Sequence, residues 1–189
     1  MEVRDRPYDR AVHHVAFIRN VNQGQRGQPS TADLVGAFAD AGCADAVTFQ
    51  SNGTIVFPAG TLGVDGADAV IADALVALAA RSGLEREGFG MPLSSLGAIV
   101  DAHAGEPDAH RRELTLHSGG VLEMADPDVV REAAHRRCRV VDAGPGWAVL
   151  LNERDRESNG TPVVERLTGG PATSRGIPTL VRLVERFSR

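Results

Sequence analysis

The strongest constraint on the fold is a switch between two residue periods. Short β-rich runs alternate with amphipathic helical runs in the order β-α-β-β-α-β over residues 13–93, and a further helix follows over 95–103. Residues 13–19 read as a strand with apolar side chains on both faces. A polar loop over 20–29 leads to a helix opened by Ser30 or Thr31. Asp33 stands three residues after Ser30, close to a capping-box pattern, and Gly42 stops the helix. Leu34, Val35, Phe38 and Ala41 fall on one face of it. The runs 46–50 and 54–57 flank Ser51-Asn52-Gly53, a hairpin signal. A helix over 68–81 and a strand over 89–93 complete the pattern.

The second part echoes the first. A linker over 105–110 precedes a strand at 113–117 and a helix at 126–137 with Pro127 at its start. A hairpin of 139–142 and 147–151 turns at Gly144-Pro145-Gly146. Helices at 161–167 and 178–187 close the chain, with a polar Gly-containing loop around 173–176. The expected fold is α+β, two fused ferredoxin-like halves with antiparallel or mixed sheets, over 12–104 and 111–189. The echo is one of element order; no residue-level repeat is evident.

Composition narrows the chemistry. All 20 basic residues are arginine, so no Schiff-base lysine and no Walker-type P-loop can form in this chain. The net charge of −5 argues against a constitutive nucleic-acid binder. Cys43 and Cys138 are far apart without a Cys-x-x-Cys motif, which fits a reducing, cytoplasmic setting and no structural zinc. The charged start, residues 1–6, has no signal-peptide core, and the apolar stretch 74–80 is too short to span a membrane. Neither a metal nor a cofactor is expected.

Three segments carry a family resemblance. They are Arg19-Asn20-Val21-Asn22-Gln23-Gly24 after the first strand, Gln50-Ser51-Asn52-Gly53-Thr54 in the hairpin, and Thr173-Ser174-Arg175-Gly176-Ile177-Pro178-Thr179 near the end. Their order and spacing resemble the bacterial family called domain of unknown function 1697, over about residues 12–187. That family shows a strand ending in Arg-Gly-Ile-Asn-Val-Gly, a Gln-Ser-Gly-Asn hairpin and a terminal Thr-x-Arg-Asn-Trp-x-Thr run. Arg19, Asn22 and Gly24 match the first motif, Gln50 and Ser51 the second, and Thr173, Arg175 and Thr179 the third. The departures are Asn20 for a glycine, one extra hairpin residue, Gly176-Ile177 for Asn-Trp, and the absent family lysine. The resemblance implies two ferredoxin-like halves and no reaction.

The residues themselves suggest an anion site. The loop 19–29 joins a strand to a helix, a geometry that presents N–H groups, and Arg19 and Arg26 add charge. Arg19 and Gln50 approach one another where the first strand neighbours the hairpin, and Arg175 belongs to a second polar loop. The expected function is recognition of a small polar or anionic ligand in an inter-half cleft by Arg19, Asn22, Gln50, Ser51, Thr173 and Arg175. Whether a reaction follows is open; no covalent nucleophile is evident, so any catalysis would rest on positioning and electrostatics. The alternatives are an interaction module whose sheet edges pair with a second copy, giving a homodimer, and RNA binding through the arginines of 131–139. His103, His110 and His117 recur every seven residues but span a helix, a linker and a strand, so they share no face for a metal.

Overall fold

The computed structural model describes residues 13–60 and 63–188. The charged stretch 1–11, on which the signal-peptide expectation falls, lies outside them. The first half runs β1 (His13–Ile18), α1 (Thr31–Asp40), β2 (Val47–Phe49), β3 (Thr54–Pro58), α2 (Gly63–Ser82), β4 (Gly88–Pro92) and α3 (Leu93–Ala104). A single 3-10 turn, Ala109–Arg111, leads into the second half. That half runs β5 (Arg112–His117), α4 (Pro127–His135), β6 (Cys138–Gly144), β7 (Trp147–Asn152), α5 (Gly160–Thr168), β8 (Ala172–Gly176) and α6 (Ile177–Phe187). Strand orders are β2-β3-β1-β4 and β6-β7-β5-β8, with every pairing antiparallel. The chain is an α+β protein of two ferredoxin-like halves. Among the described residues no helix is long and apolar enough to cross a membrane.

The element that departs from the expectation is β8, read from sequence as a loop. Its residues Thr173, Ser174 and Arg175 carry no apolar alternation, yet all pair with β5. The strand survives because its neighbours, not its own apolar content, hold it. With β8 in place, the second half repeats the first element for element.

Successive β1 residues point to opposite faces, and each face finds its own core. Ala16 and Ile18 pack with Leu34, Phe38, Ile71 and Leu78 beneath α1 and α2. A matching cluster under α4 and α5 includes Leu150, Val163 and Val164. The third cluster belongs to both halves: Val15, Phe17 and Val56 pack with Leu114, Val149, Ile177 and Leu180. The two sheets thus turn one apolar face each toward a common core, which α3 and α6 help to fill. At the start of α1, Ser30 Oγ accepts from Asp33 N–H at 3.1 Å and Ser30 N–H donates to the Asp33 carboxylate at 2.8 Å, completing the capping box.

The β2–β3 turn is set by Gly53. Its φ is +73°, and a Cβ there would lie 2.6 Å from the Ile18 carbonyl oxygen and 2.8 Å from Val21 Cβ. Ile18 N–H donates to the Gly53 carbonyl at 2.8 Å, so the turn cannot simply move away. Gly53→Ala adds left-handed strain to a backbone clash and should cost about 2–4 kcal/mol. Thermal unfolding should show a midpoint lower by about 5–15 °C; an unchanged midpoint would contradict this reading of the turn.

Candidate functional site

Arg175 sits on β8 of the second half and reaches into the first. Its Nη2 donates to the carbonyls of Asn52 at 2.5 Å and Ile18 at 3.4 Å. Its Nε donates to Thr54 Oγ1 at 3.3 Å. Nη1 is held by Thr173 Oγ1 at 2.9 Å and the Ser174 carbonyl at 2.8 Å. The guanidinium also lies 5.6 Å from the centre of the Phe17 ring. All five donors of a guanidinium are therefore engaged, and none by a carboxylate. Burial lowers the pKa of Arg175 to about 10, which leaves the side chain charged at neutral pH.

The other predicted residues lie around this seam. Arg19 pairs across the halves with Glu165 at 2.5 Å and within its own half with Glu87 at 3.5 Å. Asn20 and Gln50 have φ of 55° and 59°. Asparagine is among the non-glycine residues that best tolerate this region, which explains how Asn20 replaces the family's glycine. Asn22, Gln50 and Ser51 are exposed, and the Ser51 carbonyl accepts from Gln23 N–H at 2.8 Å. Thr173 is buried beneath Arg175. The structure thus brings Arg175, held by Thr173, onto the hairpin that carries Gln50 and Ser51, while Arg19 is engaged by two acids.

An open cleft lies at a different place between the halves. It has a volume of about 510 Å³. One wall is α2 and the edge strand β4, with Asp68, Ile71, Leu75, Phe89 and Met91. The other is the end of β5 and the β6–β7 turn, with Leu116, His117, Pro145 and Trp147. None of the six sequence-predicted residues lines it. Among the lining residues Asp68 supplies the formal charge. His117 is 3% exposed, and neither ring nitrogen has a hydrogen-bond partner. Burial lowers its pKa, with the nearby Gly119 and Trp147 backbone groups opposing in part, so the ring is neutral at pH 7. No local signal marks this site, because its residues come from five separate elements and the β6–β7 turn and are ordinary core or turn residues locally.

The remaining candidates resolve into structural contacts. His103 Nδ1 accepts from Arg112 at 2.7 Å, while Nε2 faces Asp142 across the halves at 3.2 Å. His110 faces Asp155 at 3.1 Å. The three heptad-spaced histidines therefore have separate surroundings, and no group of three or more metal-ligating side chains occurs among the described residues. Arg131, Arg136 and Arg137 pair with Asp128, Glu132 and Glu157. Both cysteines are buried; burial raises each thiol, Cys138 to about 12 with help from Glu113.

The family model described as "Protein of unknown function (DUF1697)" matches residues 12–139. The chain belongs to the DUF1697 family. The matched span holds the first two motifs and ends short of the third, so it is narrower than the 12–187 expected from the sequence. No curated protein matches the chain. The solved structure of conserved bacterial protein SP0830 from Streptococcus pneumoniae is similar at 14% identity, with a TM-score of 0.61, covering 94% of this chain and 99% of that one. At that identity the likeness speaks for the fold alone.

Two outcomes are expected from this geometry. Lysine carries three donors on a flexible stem and cannot reproduce a planar five-donor fork. Arg175→Lys should therefore strand acceptors at Ile18, Asn52 or Thr54 and cost about 2–4 kcal/mol, read as a midpoint lower by about 5–15 °C; a shift below about 2 °C would show that the fork is dispensable. The second concerns pH. Burial depresses the folded-state pKa of His14 and His117 below 6.5, so their unfolded forms bind protons first as pH falls. The stability they contribute is complete above pH 6.5 and is lost as pH drops through the folded pKa, at up to about 1.4 kcal/mol per unit for each ring. Midpoints measured from pH 7.5 to 5 should fall less steeply for His117→Leu than for the parent chain; parallel curves would contradict this.

Proposed function

We propose that the chain binds a small polar molecule in the cleft between its halves. The observation that carries this reading is the cleft itself, an open space lined by residues of both halves, with Asp68 as its charged group and Trp147 on the facing wall. The rest of the lining supports the same reading. Apolar and aromatic surfaces from Leu75, Phe89, Met91 and Trp147 enclose a few polar groups, the composition typical of small-molecule sites. The volume of about 510 Å³ falls within the range of such pockets.

The charge of the site refines the ligand. Asp68 is acidic and His117 is neutral, so the cleft favours a neutral or cationic ligand over an anionic one. The six residues expected from the sequence then act at one remove. Arg175 and Thr173 hold the halves in the relative position that leaves the cleft open, and Arg19 ties β1 to α5 through Glu165.

Trp147 is the chain's single tryptophan and lines the cleft, so its emission reports occupancy. A panel of neutral, cationic and anionic small molecules, inorganic phosphate included, should yield saturable emission changes from the first two classes. At about 100 times the dissociation constant, binding adds about 2.7 kcal/mol and raises the midpoint by about 5–10 °C. Both signals should be lost in Met91→Arg, which fills the cleft from within. Saturation by phosphate alone, or by no class, would overturn the proposal.

A further inference from the structure

The internal duplication gives the molecule two equivalent seams, and the strand register fixes their correspondence. Val15 stands opposite Val56 and Met91; Leu114 stands opposite Val149 and Arg175. Met91 therefore corresponds to Arg175. Phe17 corresponds to Leu116, Ile18 to His117, and Thr54 to Trp147. The turns agree. Ile18 N–H donates to the Gly53 carbonyl at 2.8 Å, and His117 N–H donates to the Gly146 carbonyl at 3.0 Å. Both glycines have positive φ, +73° and +76°. Asn52, just before Gly53, corresponds to Pro145, just before Gly146.

At the first seam the Arg175 guanidinium contacts the Phe17 ring, the Ile18 and Asn52 carbonyls and the Thr54 hydroxyl. At the second, the counterparts of all four, Leu116, His117, Pro145 and Trp147, line the open cleft. Met91 stands where the arginine would be, and it brings no donor and no charge. One seam is filled by a cation from the chain itself, and the other has the same framework without one.

We propose that the open seam takes an external guanidinium group, seated as Arg175 is seated at the first. This rests on the cleft being a ligand site and names the chemical class of its ligand. Two features of the second seam suit the cation better than those of the first. Asp68 adds a carboxylate, where Arg175 meets none. Trp147 replaces Thr54 and offers the aromatic face best suited to a cation. Asp68 Oδ1 lies 3.6 Å from where a Cβ on Gly90 would stand, so the carboxylate overhangs the β4 edge of the cleft.

The test uses the full chain and four probes read through Trp147 emission: butylguanidine, the uncharged isostere butylurea, free L-arginine, and N-acetyl-arginine amide. Butylguanidine should bind saturably and at least tenfold tighter than butylurea, and Asp68→Asn, an exposed change, should weaken it at least tenfold. L-arginine and N-acetyl-arginine amide distinguish a free guanidine metabolite from an arginine side chain of a peptide; whichever binds tighter names the source. Met91→Arg should fill the cleft from within, abolish butylguanidine binding and raise the midpoint. Equal binding of butylurea and butylguanidine would overturn the guanidinium assignment and leave the cleft reading standing. Binding of butylguanidine undiminished in Met91→Arg would show that it binds elsewhere and overturn the proposal. No response from any probe, or from the broader panel of neutral and cationic compounds, would overturn both.

Discussion

The contact on which the arrangement of this molecule depends is a cation without a carboxylate. Arg175 satisfies its guanidinium with carbonyl and hydroxyl oxygens, three of them from the opposite half. An ordinary surface ion pair contributes little and tolerates a range of geometries. A planar fork engaged by five neutral acceptors tolerates far less, because each acceptor must lie in the plane of its own N–H. The end of β1, the tip of the β2–β3 hairpin and strand β8 are thereby placed relative to one another. The desolvation that lowers the Arg175 pKa to about 10 is the counterpart of this enclosure.

Other contacts across the halves act in the same sense. The common core joins Val15, Phe17 and Val56 to Leu114, Val149 and Leu180. On another side, His103 of α3 links Arg112 and Asp142 of the second half, and Arg112 is held in turn by Glu106 and Asp108. With the halves fixed in this way, the cleft is a consequence of the duplication. The two seams share one framework, and the residue that closes the first is methionine at the second.

Much of the fold was legible in the sequence because it was written in local patterns. The capping box at Ser30 and Asp33, the Asn52-Gly53 turn and the apolar faces of α1 and α2 each follow from a few neighbouring residues. Strand β8 was not legible, since Thr173, Ser174 and Arg175 gain their extended form from pairing with β5. The candidate residues were legible as unusual polar positions, and Arg175 does meet the hairpin that carries Gln50 and Ser51. What the sequence could not convey was how fully Arg175 is engaged, because its partners Ile18 and Asn52 offer backbone carbonyls, which any residue has. The cleft was illegible for a related reason. Its character comes from Asp68 facing Trp147 and from Met91 standing in an arginine's place, and both facts exist only once the halves are set against each other.

The most direct measurement is a crystal structure of the full chain grown with L-arginine. The account predicts a guanidinium in the cleft, with its nitrogens about 2.7–3.2 Å from the His117 and Pro145 carbonyl oxygens and its plane against Trp147, reproducing the setting of Arg175 at the first seam. A cleft that remains free of the ligand at saturating concentration, or a guanidinium bound only at the outer surface, would contradict it.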